Sequence, residues 1–177
     1  MLFSLLRQFF LLIVFRAGPQ DLPATNQALY IAAGFNALVG FLVAQSVDGG
    51  LETALGPAAE VAVELALLAA YVGLWVWIRE VPNRFLQTLT AAYGVNGMVT
   101  LIAWPLLVAS PPIEEIGTAQ PGALAFLILT IIMWNLMALG NVFRHALNMA
   151  LPLGFLLAFI YFLIAGFVVT SFYEPIS

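Results

Sequence analysis

Glu60 and Glu64 are the residues of this chain best placed to do chemistry. They stand four positions apart, so on a helix both carboxylates share one face. A carboxylate pair can relay protons or hold a cation. Both lie in an apolar stretch that begins at Pro57, and an ionisable group within a membrane span is a functional suspect by default. The competing reading is structural. In the first turns of a helix a carboxylate favours the positive end of the dipole by about 0.3–1 kcal/mol. Glu64 is a turn deeper than Glu60, and a carboxylate facing hydrocarbon is penalised by about 2.5–3.5 kcal/mol at mid-depth. Glu64 should therefore face the bundle or a partner, beside a polar group or water, and Glu60 should lie near water. The shallow depth favours the structural reading, under which Glu64→Gln leaves any transport intact.

Two other residue sets recur every four positions. Ala32, Asn36, Gly40 and Ala44 form one stripe, and Thr88, Ala92, Asn96 and Thr100 form another, flanked by Gly94 and Gly97. Small residues let two backbones approach, and asparagine or threonine can hydrogen-bond across helices for about 0.6 kcal/mol per contact. Helix packing is the expected role. On that reading Gly40→Leu disrupts the fold or an assembly, and Leu42→Ile is mild. The alternative is a translocation pathway through Glu64, Asn36 and Asn96. Transporters more typically show broken helices and deep charge.

Most other chemistry is excluded by residue type. Cysteine is absent and His145 is the only histidine, which leaves no thiolate and no multi-histidine metal or haem site. No cofactor is expected. A serine–histidine pair needs hydrogen-bond contact, but Ser46 and Ser110 fall at the end of the molecule opposite His145. Asp21 and Asp48 are separated in the same way. Gly49-Gly50 is a turn, not a phosphate-binding motif. The net charge of −4 argues against nucleic acid, which requires a basic face. No polybasic run is present to attract anionic headgroups.

The elements that must position these residues are membrane spans. The apolar fraction is 63% and only 8% is charged, too apolar for a water-facing domain of this length. A hydrocarbon core about 30 Å thick takes about 20 apolar residues per helix. Five stretches qualify, roughly 28–45, 57–78, 85–109, 122–140 and 150–170. Residues 1–177 thus read as a single all-α membrane domain. Threaded five times, the chain puts Arg7, Arg16, Arg79, Arg84 and Arg144 on one side, and Asp48, Glu52, Glu114, Glu115 and Glu174 on the other. Arginines in short loops stay cytoplasmic. The expected location is a plasma membrane of the bacterial inner type, amino terminus inside and carboxyl terminus outside.

The connecting segments fit this scheme. Leu2 to Phe15 carries Arg7 and lacks a cleavage site, which suits a short interfacial helix over about 2–16 rather than a secretion signal. Gly18-Pro19 ends it, and Asp21, Pro23 and Thr25 start the next helix. Trp75 and Trp77 precede Arg79 as an aromatic belt. Trp104-Pro105 marks the far end of the third span. Trp134, Asn135, Gly140 and Asn141 end the fourth, and Arg144-His145 form the loop after it. Gly154 and Gly166 bracket the aromatic run of the fifth. No internal repeat is evident.

Five helices, an inner amino terminus and a short lead-in resemble the Yip1-like family of integral membrane proteins. The stretch Arg16-Ala-Gly-Pro-Gln-Asp-Leu-Pro looks like the lead-in of small bacterial members, and Asn141-Val-Phe-Arg-His-Ala-Leu with the following helix is also similar. The resemblance implies a membrane-embedded protein without transferable catalytic residues. Eukaryotic members carry a longer cytosolic lead-in linked to vesicle traffic and small GTPases. That lead-in is missing here, which argues against a GTPase partner.

Two functional readings follow. The first is a non-enzymatic membrane protein that packs against other integral membrane proteins as an accessory subunit, scaffold or assembly factor. The second is a small transporter or channel using Glu64 with Asn36 and Asn96. An intramembrane enzyme ranks third.

Overall fold

A computed structural model describes residues 1–47, 56–109 and 122–171. Asp48, Gly49, Gly50, Glu52, Ser110, Glu114, Glu115 and Glu174 lie outside them. The described residues form six α-helices: α1 Leu2–Ile13, α2 Asn26–Val47, α3 Gly56–Ile78, α4 Phe85–Val108, α5 Ala123–Ala146 and α6 Leu151–Thr170. Short 3-10 turns at Pro19–Asp21 and Pro82–Arg84 precede α2 and α4. The five long helices are each apolar and long enough to cross a bilayer, so the chain is a membrane-embedded helical protein.

α4 is the central helix. It packs along α2 and α5 and also meets α1 and α3. Its buried residues run almost without interruption from Thr88 to Val95. Small residues make this possible. A Cβ on Gly97 would come within 3.1 Å of the Asn36 backbone, and one on Gly94 would overlap the Phe9 ring. The α5–α6 contact is closer still. A Cβ on Gly140 would stand 2.8 Å from the Phe155 Cα, and one on Gly154 would meet the Gly140 carbonyl. Backbones touch there because neither residue has a side chain.

The amino-terminal helix is part of the core on one face. Leu5, Phe9, Leu12 and Ile13 are at most 1% exposed, while Phe3, Arg7 and Phe10 face outward. Phe9 stacks on Phe35 with centroids 6.1 Å apart. The last carbonyl of α1, on Ile13, has no partner within its own helix. It accepts a hydrogen bond from the Trp134 indole Nε1 at 2.7 Å. Without water in a bilayer core, such end groups need internal partners.

Helix ends depart from expectation in two places. α5 continues to Ala146, so Arg144 and His145 occupy its last turn rather than a loop. Cations in a last turn are favoured by the helix dipole, and the Gly140–Gly154 contact holds this part of α5 inside the bundle. α1 stops at Ile13, and Phe15 turns the chain with φ 60°. α4 ends at Val108 as the expected 85–109 span requires, with Pro105 inside its last turns. Thr25 does start α2: its hydroxyl accepts from the Ala28 N–H at 3.2 Å.

Candidate functional site: a polar cavity within the helix bundle

The half of the bundle that carries the arginines is closed by hydrogen bonds to backbone carbonyls. Arg84 Nη1 donates to the carbonyls of His145 (3.0 Å) and Ala146 (2.9 Å), and Arg79 Nη2 to that of Leu147 (3.3 Å). Gln87 donates to the Leu22 carbonyl at 2.8 Å. These bonds tie the α3–α4 connection to the end of α5 and the α2 lead-in to the start of α4. Arg79 and Arg84 therefore sit at one end of the molecule, with the last turn of α5 that carries Arg144.

Towards mid-depth the packing is aromatic. Tyr71 on α3 lies 5.4 Å from Tyr161 and 5.8 Å from Phe143 between ring centroids. The Tyr71 hydroxyl donates to the Leu157 carbonyl at 2.8 Å, and Tyr93 donates to the Leu65 carbonyl at 2.7 Å. A helix carbonyl keeps a second lone pair after its own ladder bond, so both hydroxyls find acceptors without breaking a helix.

Beyond this layer the helices splay, and two adjoining cavities of about 320 and 300 Å³ open. Asn36, Gly40 and Ala44 of α2, Glu60 and Glu64 of α3, and Asn96 and Thr100 of α4 line the first. The second runs between α5 and α6 past Leu136, Ala158 and Phe162. Both share Glu64, Asn96, Asn135 and Tyr161. The polar groups thus converge from five helices onto one space whose inner end is the Tyr161 layer. Among the described residues the side chains of Asn36, Glu64, Asn96 and Asn135 make no hydrogen bond. They face the cavity instead of one another.

The residues singled out by spacing divide between packing and cavity. Ala32 and Ala92 are fully buried between helices. Gly40 faces α3, its Cβ position 3.4 Å from Val61, and it also borders the cavity with Ala44. Asn36, Asn96 and Thr100 line the cavity. Of the acidic pair, Glu64 faces the bundle beside polar groups as expected, whereas Glu60 is covered rather than near water. Glu60 is buried, with 7% of its surface exposed, and Glu64 is exposed to the cavity. Depth alone does not set exposure here. The contact between Val61 and Gly40 seats the first turns of α3 against α2, which covers Glu60, whereas one turn on α3 borders the open space. The shared face predicted by four-residue spacing holds, since both carboxylates line the same cavity.

Asn135 and Tyr161 are the residues that spacing did not mark. Ending the fourth span at 140 made Asn135 a terminal residue. With α5 running to Ala146 it is near the middle of a span, where a lone asparagine is costly and therefore informative. Tyr161 was hidden within an aromatic run. Among the described residues no group of three or more metal-ligating side chains occurs. Two carboxylates, three asparagines, a threonine and a tyrosine suit a small cation or a protonated polar solute. Comparison of the chain with protein-family models, curated proteins and solved structures gives no match.

Proposed function

We propose that this protein is a small, non-enzymatic transporter or channel that takes a cation or protonated solute through its polar cavity. Glu64 serves as the counter-charge, and Asn36, Asn96 and Asn135 replace hydration. One observation carries the reading: polar side chains from separate helices converge on a single cavity rather than bonding across helices. Carboxylates and asparagines left facing hydrocarbon would be expensive, and a polar solute or ion is what such a lining accommodates. The accessory-subunit reading drew on small-residue faces available to partners. Ala32, Gly97, Gly140 and Gly154 are engaged within the chain, which leaves those faces to support intramolecular packing.

The orientation belongs to the same proposal. The arginine end faces the cytoplasm of a bacterial-type inner membrane, and the cavity occupies the outer half. The layout agrees with a Yip1-like kinship, which we retain as part of the reading. Reporter fusions at Gly50 and Pro112 should read extracytoplasmic, and one at Asn83 cytoplasmic. A cytoplasmic reading at Gly50 would sink the scheme.

Function is tested in proteoliposomes. Proton entry is followed with a trapped pH dye and monovalent cation entry with thallium. The native protein should exceed empty vesicles in one of the two assays, and Glu64→Gln should abolish that flux while folding normally. Flux equal to that of empty vesicles in both assays, or full flux through Glu64→Gln, refutes the proposal.

A further inference from the structure

A second polar cavity, of about 210 Å³, lies at the arginine end and is separate from the site above. Its walls come from four places in the chain: Gln20 in the first 3-10 turn, Arg84 in the second, His145 in the last turn of α5, and Asn148 just beyond. No run of basic residues in the sequence marks it. The fold builds it by hanging two arginines on the carbonyls that end α5.

The geometry orients donors into this space. The two carbonyls bonded to Arg84 both engage Nη1. A guanidinium carries five N–H donors, so Nη2 and Nε keep theirs for a ligand. Among the described residues the side chains of Gln20, His145 and Asn148 make no hydrogen bond. Asn148 is held in the left-handed region, φ 51°, and the Met149 N–H bonds back to the Arg144 carbonyl at 3.1 Å. This closed turn fixes the rim. Arg79 donates to the Leu147 carbonyl next to Asn148, Arg144 precedes His145 in the chain, and Asp21 and Glu80 are the acidic residues nearest the lining in sequence. The Asp21 carboxylate is turned back on its own turn, where its Oδ2 accepts the Gly18 N–H at 2.8 Å.

We infer that this pocket binds the phosphate of an anionic phospholipid headgroup in the leaflet at the arginine end. Its position selects the lipid over a soluble phosphate ester. The pocket lies where the 3-10 turn before α2, the start of α4 and the end of α5 meet, at the arginine ends of helices long enough to cross a bilayer, and a basic pocket between span ends meets headgroups. Exposed Trp77 and Ile78 end α3 beside Arg79, giving acyl chains an apolar surface next to the charge. Arginine suits the ligand because its planar fork matches phosphate oxygens.

The test uses the full chain purified in detergent, with phosphatidylglycerol, phosphatidylcholine and glycerol 3-phosphate as probes, read by native mass spectrometry. One phosphatidylglycerol per chain should be retained in preference to phosphatidylcholine. Arg84→Gln should weaken retention about tenfold, the equivalent of losing one charge-assisted hydrogen bond. Because Arg84 also caps α5, His145→Ala is the second variant; it leaves both carbonyls bonded and should weaken retention about threefold. Arg16→Gln, outside the pocket, should change nothing. Equal retention of the two lipids overturns the inference, as does native affinity in His145→Ala together with a folded Arg84→Gln. Glycerol 3-phosphate binding as tightly as the lipid also overturns it, since the ligand would then be a soluble phosphate ester.

Discussion

The two halves of this bundle use the same kinds of residue to opposite ends. In the arginine half, glycines bring backbones into contact and polar side chains close carbonyls: Gly140 on Phe155, Trp134 on Ile13, Arg84 on His145. In the other half, Gly40 and Ala44 border open space, and Asn36, Asn96 and Asn135 face a cavity. The difference lies in what stands opposite. A small residue gives close packing only when another backbone meets it. A polar side chain gives stability only when a partner is within reach; otherwise it makes a site. Both halves use glycines and polar side chains, and the arrangement separates scaffold from candidate function.

The comparison breaks most visibly at the glycines. Gly140→Ala places a methyl group against the Phe155 backbone, which cannot move aside as a side chain could. It should destabilise the protein by about 3 kcal/mol, the upper range of overpacking, seen as a lower midpoint in denaturing-detergent titration. An unchanged midpoint would mean that the α5–α6 contact is looser than described.

Next in size is the aromatic layer between the halves. Tyr71→Phe removes the bond to the Leu157 carbonyl but keeps the ring packing. Because that carbonyl retains its helix bond, the loss should be about 0.6 kcal/mol and no more than about 1.7. A loss beyond 2 kcal/mol would show the layer to be held by this hydroxyl rather than by packing.

A smaller effect, of opposite sign, is expected at the arginine end. Glu80 occupies the left-handed region with φ 56°, where the Val81 N–H bonds to the Val76 carbonyl to close α3. Glu80→Gly should stabilise by about 0.5 kcal/mol, the left-handed penalty less the extra chain entropy of glycine. A decrease would mean that the carboxylate itself makes a favourable contact.

The smallest stability changes belong to the cavity half. Gly40→Ala meets only Val61, at ordinary contact distance, and should shift stability by less than about 0.5 kcal/mol. Asn96→Ala should be similarly mild in unfolding, while impairing any flux that Glu64→Gln abolishes. A large loss of stability in Asn96→Ala would turn the cavity lining back into scaffold.

The sequence by itself determined the spans, the clustering of arginines and the shared face of Glu60 and Glu64. These follow from composition and helical period, which are properties of single segments. It also marked Ala32, Asn36, Gly40 and Asn96 as unusual. Whether each would pack or line a cavity was not legible, because that depends on a second helix. Gly140 and Gly154 read as a terminator and a bracket; only their meeting makes them a contact. Asn135 looked terminal because Gly140-Asn141 resembles a helix stop, and the packing of α5 on α6 overrode that local signal. Glu60 is covered rather than wet because α2 packs on the first turns of α3. The pocket around Arg84 was invisible for the same reason. Gln20, Arg84, His145 and Asn148 are far apart in the chain, and only the convergence of helix ends places their donors around one space.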